Sequence, residues 1–138
     1  MHKVITHWKG NMAFESILPD GKIAIDIPES QGGNGEGMRP KALMLSALAG
    51  CSGLDVASLI KKMRLQVNDF RIETLGDLSD TEPQVYHTVS MIYIFEGKKL
   101  DKEKLSKAVN LSVEKYCGVL KMFESFADIT IKIQFISQ

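Results

Sequence analysis

Two cysteines, Cys51 and Cys117, are the residues whose type and surroundings best fit chemistry in this sequence. Each lies in an apolar stretch typical of a helix, and neither belongs to a Cys-x-x-Cys motif. The three histidines, His2, His7 and His87, show no metal-ligand spacing to either thiol, so we expect no metal site. Two inert buried thiols, a catalytic pair and a redox-sensing pair all remain open. The thiols can meet only if folding brings their Cα atoms to within about 6 Å, the usual disulfide distance.

The elements that must position the thiols are two helices. The first is expected to begin near Pro40 and to continue to Met63, because proline suits the first helical position. Its residues 42–56 are apolar nearly all round, so the helix needs cover on more than one side. One sheet from a chain of 138 residues does not provide that cover, and we therefore expect a second subunit. The second helix is expected over residues 102–116, with Asp101 as its N-cap.

Strand-like alternation of polar and apolar residues occurs in two blocks. The first block contains residues 4–9, 12–16 and 22–27, and the second contains 67–75, 85–95 and, after the second helix, 128–137. Strand blocks separated by single helices predict an α+β fold with a largely antiparallel sheet, in one domain spanning residues 1–138. The glycine-rich segment 31–37 lacks the spacing of a phosphate-binding loop and is expected to be a mobile connector.

Charge and hydropathy narrow the range of partners. Seventeen Lys and Arg residues balance seventeen Asp and Glu residues, which argues against nucleic acid and against an anionic membrane surface. A small neutral ligand is easier to accommodate. We expect no apolar run near the roughly 20 residues that span a bilayer. Residues 1–10 lack the apolar centre of a signal peptide, so we expect a cytoplasmic protein.

Three segments resemble the OsmC/Ohr family: GEGMRPKAL at 35–43, ALAGC at 47–51 and KYCGV at 115–119. The run GCSGLDV at 50–56 is most similar to a third, poorly characterised subgroup of that family. The resemblance covers essentially the whole chain. It implies a small α+β fold that forms an intertwined homodimer, with the cysteine-bearing helices at its centre and strands from both chains around them.

The resemblance also implies an activity, the thiol-dependent reduction of organic hydroperoxides in oxidative-stress defence. Cys51 would attack the peroxide and become a sulfenic acid, and Cys117 would then close a disulfide. No cofactor is implied other than an external dithiol reductant. Cys51 is therefore expected to be the peroxidatic cysteine and Cys117 the resolving cysteine.

This sequence departs from the family pattern at the residues that tune the first thiol. Family members hold an arginine from the N-terminal hairpin with a glutamate that follows the helix-starting proline. Here Lys41 follows the proline, and the hairpin offers Lys9 but no arginine. Arg39 is the nearest arginine, but twelve helical residues separate it from Cys51 by about 18 Å. It could serve only through a helix break or across a dimer interface.

Two acidic residues lie close to the cysteines in the sequence. Asp55 follows Cys51 by one helical turn and is expected to raise the pKa of that thiol if ionised, unless a cation pairs with it. Glu114 precedes Cys117 by three residues. Both, like the lysines, can also be ordinary solvated or capping charges. Two alternatives to the peroxidase stay open: a non-enzymatic protein that binds a small apolar or acyl ligand, and a thiol redox sensor.

Overall fold

Three short strands open the chain in the computed structural model, which describes residues 1–138. They are β1 (Ile5–Trp8), β2 (Phe14–Leu18) and β3 (Gly21–Ile25), and they form an antiparallel sheet in that order. Gly10 and Asn11 take positive φ values, 100° and 47°, at the turn between β1 and β2. The predicted hairpins are confirmed. These strands belong to the first of two compact units, Met1–Met44 and Leu45–Gln138.

The glycine-rich segment is folded around a buried carboxylate, so the expectation of a mobile connector was wrong. A 3₁₀ turn, Glu29–Gln31, begins the segment. The carboxylate of Asp26 then accepts backbone N–H groups from Ile27 at 2.7 Å and from Asn34 and Glu36 at 3.2 Å each. A Cβ atom at Gly33 would collide with the carbonyl oxygen of Ile27. Glycine is required there because the backbone passes too close for any side chain.

The first helix, α1, extends from Pro40 to Lys62 without a break, close to its predicted bounds. Its most apolar 18 residues have a mean hydropathy of 1.7, so by length and composition the helix could cross a membrane. The expectation that no segment approaches this limit was wrong, although Asp55 lies within the apolar part of α1 and its other charges, Lys41, Lys61 and Lys62, lie near its ends. A core helix of a soluble protein passes the same test. The cytoplasmic location stays a prediction.

A second sheet lies in the unit Leu45–Gln138 and contains β4 (Asp69–Leu78), β5 (Tyr86–Gly97) and β6 (Asp128–Ser137) in that order. β4 and β5 are antiparallel, as the turn between them predicted, whereas β5 and β6 are parallel. The parallel pair arises because the chain reaches β6 through helices instead of a hairpin. The predicted α+β fold with largely antiparallel pairing is confirmed.

The helical segment that follows β5 is interrupted at the second thiol. The α-helix α2 covers Lys102–Leu111, a π-helical turn covers Ser112–Tyr116, and α3 covers Gly118–Glu124. Asp101 caps α2 as predicted, since its carboxylate accepts the N–H of Lys104 at 3.1 Å. The prediction of one helix to residue 116 was wrong at its end. Periodicity did not reveal the wider π turn, in which the N–H of Cys117 bonds to the carbonyl of Ser112 at 2.8 Å.

The apolar core of the second unit lies between β5 and the helices. One face of β5 contributes four buried side chains, and α2 and α3 cover them. These core residues are Val89, Met91, Tyr93 and Phe95 on β5, with Leu105, Val109, Leu120 and Phe123 on the helices. Within this unit α1 adds Leu48 and Val56, and Cys117 is part of the same cluster. The second thiol is therefore part of the buried apolar core of this unit.

Candidate thiol site

The fold brings the two cysteines together. Cys51 lies on α1 and is half-buried, while Cys117 is 5% exposed, and both are free thiols. They are near neighbours, because Cys51 packs against the apolar cluster that contains Cys117 and is among the groups that raise the pKa of Cys117. Two side chains 66 positions apart in the sequence thus share one site. Contact of this kind is the first geometric requirement for a thiol pair that exchanges electrons.

The second thiol is held in its protonated form. Burial is the main cause that raises the pKa of Cys117 to about 11, and interactions with Cys51 and with the charge of Asp55 raise it further. One contact acts in the opposite direction: the N–H of Leu120 donates to the Cys117 sulfur at 3.3 Å. At neutral pH Cys117 is therefore a thiol and not a thiolate.

A chain of buried hydroxyl groups lies beside the thiols. The hydroxyl of Tyr93 is 2.6 Å from Ser52 Oγ, which is 2.8 Å from Ser112 Oγ. Ser112 Oγ in turn donates to Asp55 Oδ2 at 2.9 Å. Burial is the main cause that raises the pKa of Tyr93 to about 12, and the hydrogen bond with Ser52 opposes that rise. All three hydroxyl-bearing side chains are fully enclosed.

The two predicted acidic residues take different positions. Asp55 is half-buried and receives its hydrogen bond from Ser112. No ion pair within Leu45–Gln138 includes it. Its charge raises the pKa of Cys117, an effect that the sequence did not lead us to expect. Glu114 is exposed and, with Cys117, lines a surface cavity of about 530 Å³.

The three predicted cations all belong to the unit Met1–Met44. Lys9 follows β1, Arg39 directly precedes α1, and Lys41 lies in its first turn, and all three are exposed. Because α1 is unbroken, the helix break that would let Arg39 turn back along its own helix does not occur. A role for any of the three beside Cys51 stays a prediction.

Sequence reasoning missed Ser52, Ser112 and Tyr93 as site residues. A signal was present, since Ser112 occupies an apolar position in the helical repeat and Ser52 lies within the apolar first helix. A hydroxyl at a core position must find a buried partner. Nothing in the sequence shows that these hydroxyls are one another's partners, since 60 residues separate the two serines.

Comparisons with known proteins agree with this fold. The OsmC-like protein family matches residues 33–132. Protein YhfA of Escherichia coli K12 is 31% identical over 114 residues, which is 83% of this chain and 78% of YhfA. A hypothetical protein from Aquifex aeolicus VF5 has a similar crystal structure, with a TM-score of 0.87 and 29% identity over 100% of this chain and 98% of that chain.

An organic hydroperoxide resistance protein, OhrB of Bacillus subtilis, is a more distant structural relative. Its TM-score is 0.67 at 24% identity, over 96% of this chain and 97% of that chain. At that identity the likeness shows the fold alone. Together the matches confirm the resemblance that the sequence motifs indicated, and this chain belongs to the OsmC-like family. Its assignment to the third subgroup stays a prediction.

Proposed function

We propose that this protein is a thiol-dependent peroxidase that reduces organic hydroperoxides through Cys51 and Cys117. The observation that carries the proposal is that two free thiols from distant parts of the chain pack into one cluster. Membership of the OsmC-like family supports it, as does the fold shared with a protein named for organic hydroperoxide resistance. The proposed setting is the cytoplasm, where a reducing environment regenerates the thiols.

The reaction has three balanced steps. The Cys51 thiolate attacks the terminal oxygen of R–O–OH, the O–O bond breaks, and the alkoxide takes a proton, which gives Cys51–SOH and R–OH. The Cys117 thiol then attacks the sulfenic sulfur, an S–S bond replaces the S–O bond, and water leaves. An external dithiol finally reduces the disulfide to two thiols and is itself oxidised to its disulfide. No bound cofactor takes part.

The environment of Cys117 supports this division of roles. Its thiol is buried and its pKa is raised to about 11, so at neutral pH it is poorly suited to the first attack on a peroxide. In the second step its proton leaves with the sulfenic hydroxyl group as water. Cys51 is more exposed and so is the thiol that a peroxide can reach. Lys9, Arg39 and Lys41 are the proposed sources of the cation that stabilises its thiolate.

The decisive experiment measures loss of tert-butyl or cumene hydroperoxide with dithiothreitol, with hydrogen peroxide as a control substrate. Cys51→Ser should lower the rate at least about a hundredfold, to the thiol background, because it removes the nucleophile. Cys117→Ser should permit one oxidation and leave a sulfenic acid that dimedone traps. Wild-type turnover in Cys51→Ser would disprove the proposal.

The same experiment separates the two alternatives. A single Cys51–Cys117 oxidation without turnover would identify a redox sensor. No reaction above background would favour a protein that binds a small apolar ligand.

We further propose that the protein is a homodimer in which α1 packs against its partner. Within Leu45–Gln138 this apolar helix buries only Leu48, Ser52 and Val56, and Leu54 is 75% exposed. Leu54 also borders an open groove of about 610 Å³ beside β4. A helix face this apolar is expected to pack against another protein surface. A second copy is the occupant that the family resemblance implies.

The dimer is tested by Leu54→Lys. A charge in a packed apolar interface is costly, so this variant should shift the sedimentation profile from dimer to monomer, with at least about a tenfold weaker dimerisation constant. Asn110→Lys, at an exposed site on α2, is the matched control and should leave the profile unchanged. A monomeric wild-type protein would contradict the proposal.

A further inference from the structure

The buried hydroxyl chain has one consistent direction of hydrogen bonding. A hydroxyl has a single proton, and the carboxylate of Asp55 accepts the proton of Ser112. Ser112 must then accept from Ser52, and Ser52 must accept from Tyr93. The competing acceptors are weaker: the carbonyl of Ser52 lies 3.4 Å from Ser112 Oγ, and the sulfur of Met91 lies 3.9 Å from the tyrosine hydroxyl.

This directed chain joins the three elements that surround the thiols. Ser52 and Asp55 lie on α1, Tyr93 lies on β5, and Ser112 begins the π turn. Ser52 is the residue next to Cys51. Ser112 accepts the backbone N–H of Cys117 through its carbonyl at 2.8 Å, while its side chain bonds to α1. Each serine is thus linked to one thiol by the backbone and to the other serine by its hydroxyl.

We propose that Tyr93, Ser52, Ser112 and Asp55 form a clamp that sets the approach of Cys51 to Cys117 and so determines how readily the pair forms a disulfide. These are positioning residues, since none of their described hydrogen bonds reaches a thiol. The inference rests on the proposed function in one respect, the use of these two cysteines as a redox pair.

The clamp acts through geometry. The thiols belong to one packed cluster in the reduced protein, and bond formation must shorten the sulfur separation to about 2.05 Å with a torsion near 90°. A small slip of the π turn along α1 would misdirect the Cys117 sulfur. The hydroxyl contact at 2.8 Å opposes that slip, and enclosure makes the contact costly to break. Apolar packing alone tolerates sliding because it has no direction.

The test is the disulfide equilibrium of the full-length protein in glutathione buffer. Glutathione disulfide plus the two protein thiols gives the protein disulfide plus two glutathione thiols, so no peroxide is needed. Alkylation and mass spectrometry measure the oxidised fraction, which gives the oxidation constant. Ser112→Ala is compared with Ser106→Ala on α2, and Tyr93→Phe, which keeps the packed ring, with Tyr116→Phe at an exposed site.

Ser112→Ala and Tyr93→Phe should each lower the oxidation constant roughly three- to tenfold, the effect of one lost buried hydrogen bond. Both controls should stay within about twofold of wild type. A hydroxyl that only stabilises the fold would lower the melting temperatures of the reduced and oxidised forms alike and leave the oxidation constant unchanged. An unchanged oxidation constant in Tyr93→Phe would overturn the clamp. If Ser112→Ala fails to fold, Tyr93→Phe still tests the proposal alone.

The clamp and the peroxidase can fail separately. A protein that shows the expected changes in oxidation constant but consumes no hydroperoxide keeps the clamp and loses the proposed activity. An active peroxidase whose oxidation constant is indifferent to both substitutions keeps the activity and loses the clamp.

Discussion

Two carboxylates, Asp26 and Asp55, accept hydrogen bonds inside this protein, but from different kinds of partner. Asp26 is 1% exposed and takes three backbone N–H groups, all from the ten residues that follow it. Asp55 is half-buried and takes one side-chain hydroxyl, from a residue 57 positions away. The first arrangement closes a loop, and the second connects separate elements beside a pair of thiols.

The difference shows how the same functional group serves two purposes. Backbone N–H groups lower the pKa of Asp26, that of Ile27 most strongly, and they fix the loop that leads toward α1. All of these partners come from residues that closely follow Asp26 in the sequence, so the carboxylate stabilises local structure. The partners of Asp55 depend on tertiary folding, and its charge acts on the buried thiol Cys117. Its contacts change whenever α1 and the π turn shift.

The largest expected effect comes from a substitution in the loop that Asp26 holds. Gly33→Ala places a methyl group against the Ile27 carbonyl and 2.7 Å from Asp26 Oδ1, so the loop must leave the carboxylate. We expect a loss of about 3 kcal/mol in the free energy of unfolding. Denaturant titration followed by tryptophan fluorescence measures it, since Trp8 lies in the same unit.

Gly21→Ala is the matched control, because a Cβ atom there meets nothing within 4 Å and its φ is ordinary. It should change the free energy of unfolding by less than about 0.5 kcal/mol. If the loop around Asp26 and the thiol site are independent, Gly33→Ala should leave the glutathione oxidation constant of the thiols near its wild-type value. A large change in that constant would mean that the loop and the thiol site are coupled.

The elements of this fold were predictable because its periodic signals are strong. Pro40 and Asp101 mark helix starts, and alternation in β5 and β6 is nearly complete, so local sequence sufficed. The π turn was not predictable, since Ser112 to Tyr116 keeps helical spacing while the hydrogen bonding changes. The loop around Asp26 was missed because its partners are backbone N–H groups, which have no sequence signature.

The candidate site was predictable only at its reactive atoms. Cys51 and Cys117 could be selected by residue type and by family motifs, but their contact depends on the packing of α1 against the π turn. Asp55 was recognised beside Cys51, but its effect on the distant Cys117 depends on tertiary folding and was missed. Tertiary hydrogen bonds between hydroxyls, such as that of Ser52 with Tyr93, leave too little trace in a single sequence.

A second prediction concerns the stability of the thiol site at alkaline pH. Burial above all raises the pKa of Cys117 from the ordinary value near 8.5 to about 11. The folded state therefore prefers the neutral thiol, and its stability should fall as pH rises from about 8.5 through about 11. Thermal melting of reduced wild type against Cys117→Ala measures this, and the variant should lose less stability over that range. Equal losses would show that this thiol does not titrate as a buried group.

The smallest expected effect is a loss of stability at low pH in the loop around Asp26. Because hydrogen bonds lower the pKa of Asp26 in the folded state, its contribution is complete above the unfolded pKa, near 4, and is lost as pH falls through the lower folded value. Amide hydrogen exchange at Asn34 and Glu36, whose N–H groups the carboxylate holds, should become less protected below about pH 4 in the wild type. Asp26→Asn should show weaker protection that does not change with pH in this range. If these N–H groups stay protected in acid, the loop stays folded without the charge of Asp26. Asp26 would then not be the anchor of its loop, and only the role of Asp55 at the thiol site would remain.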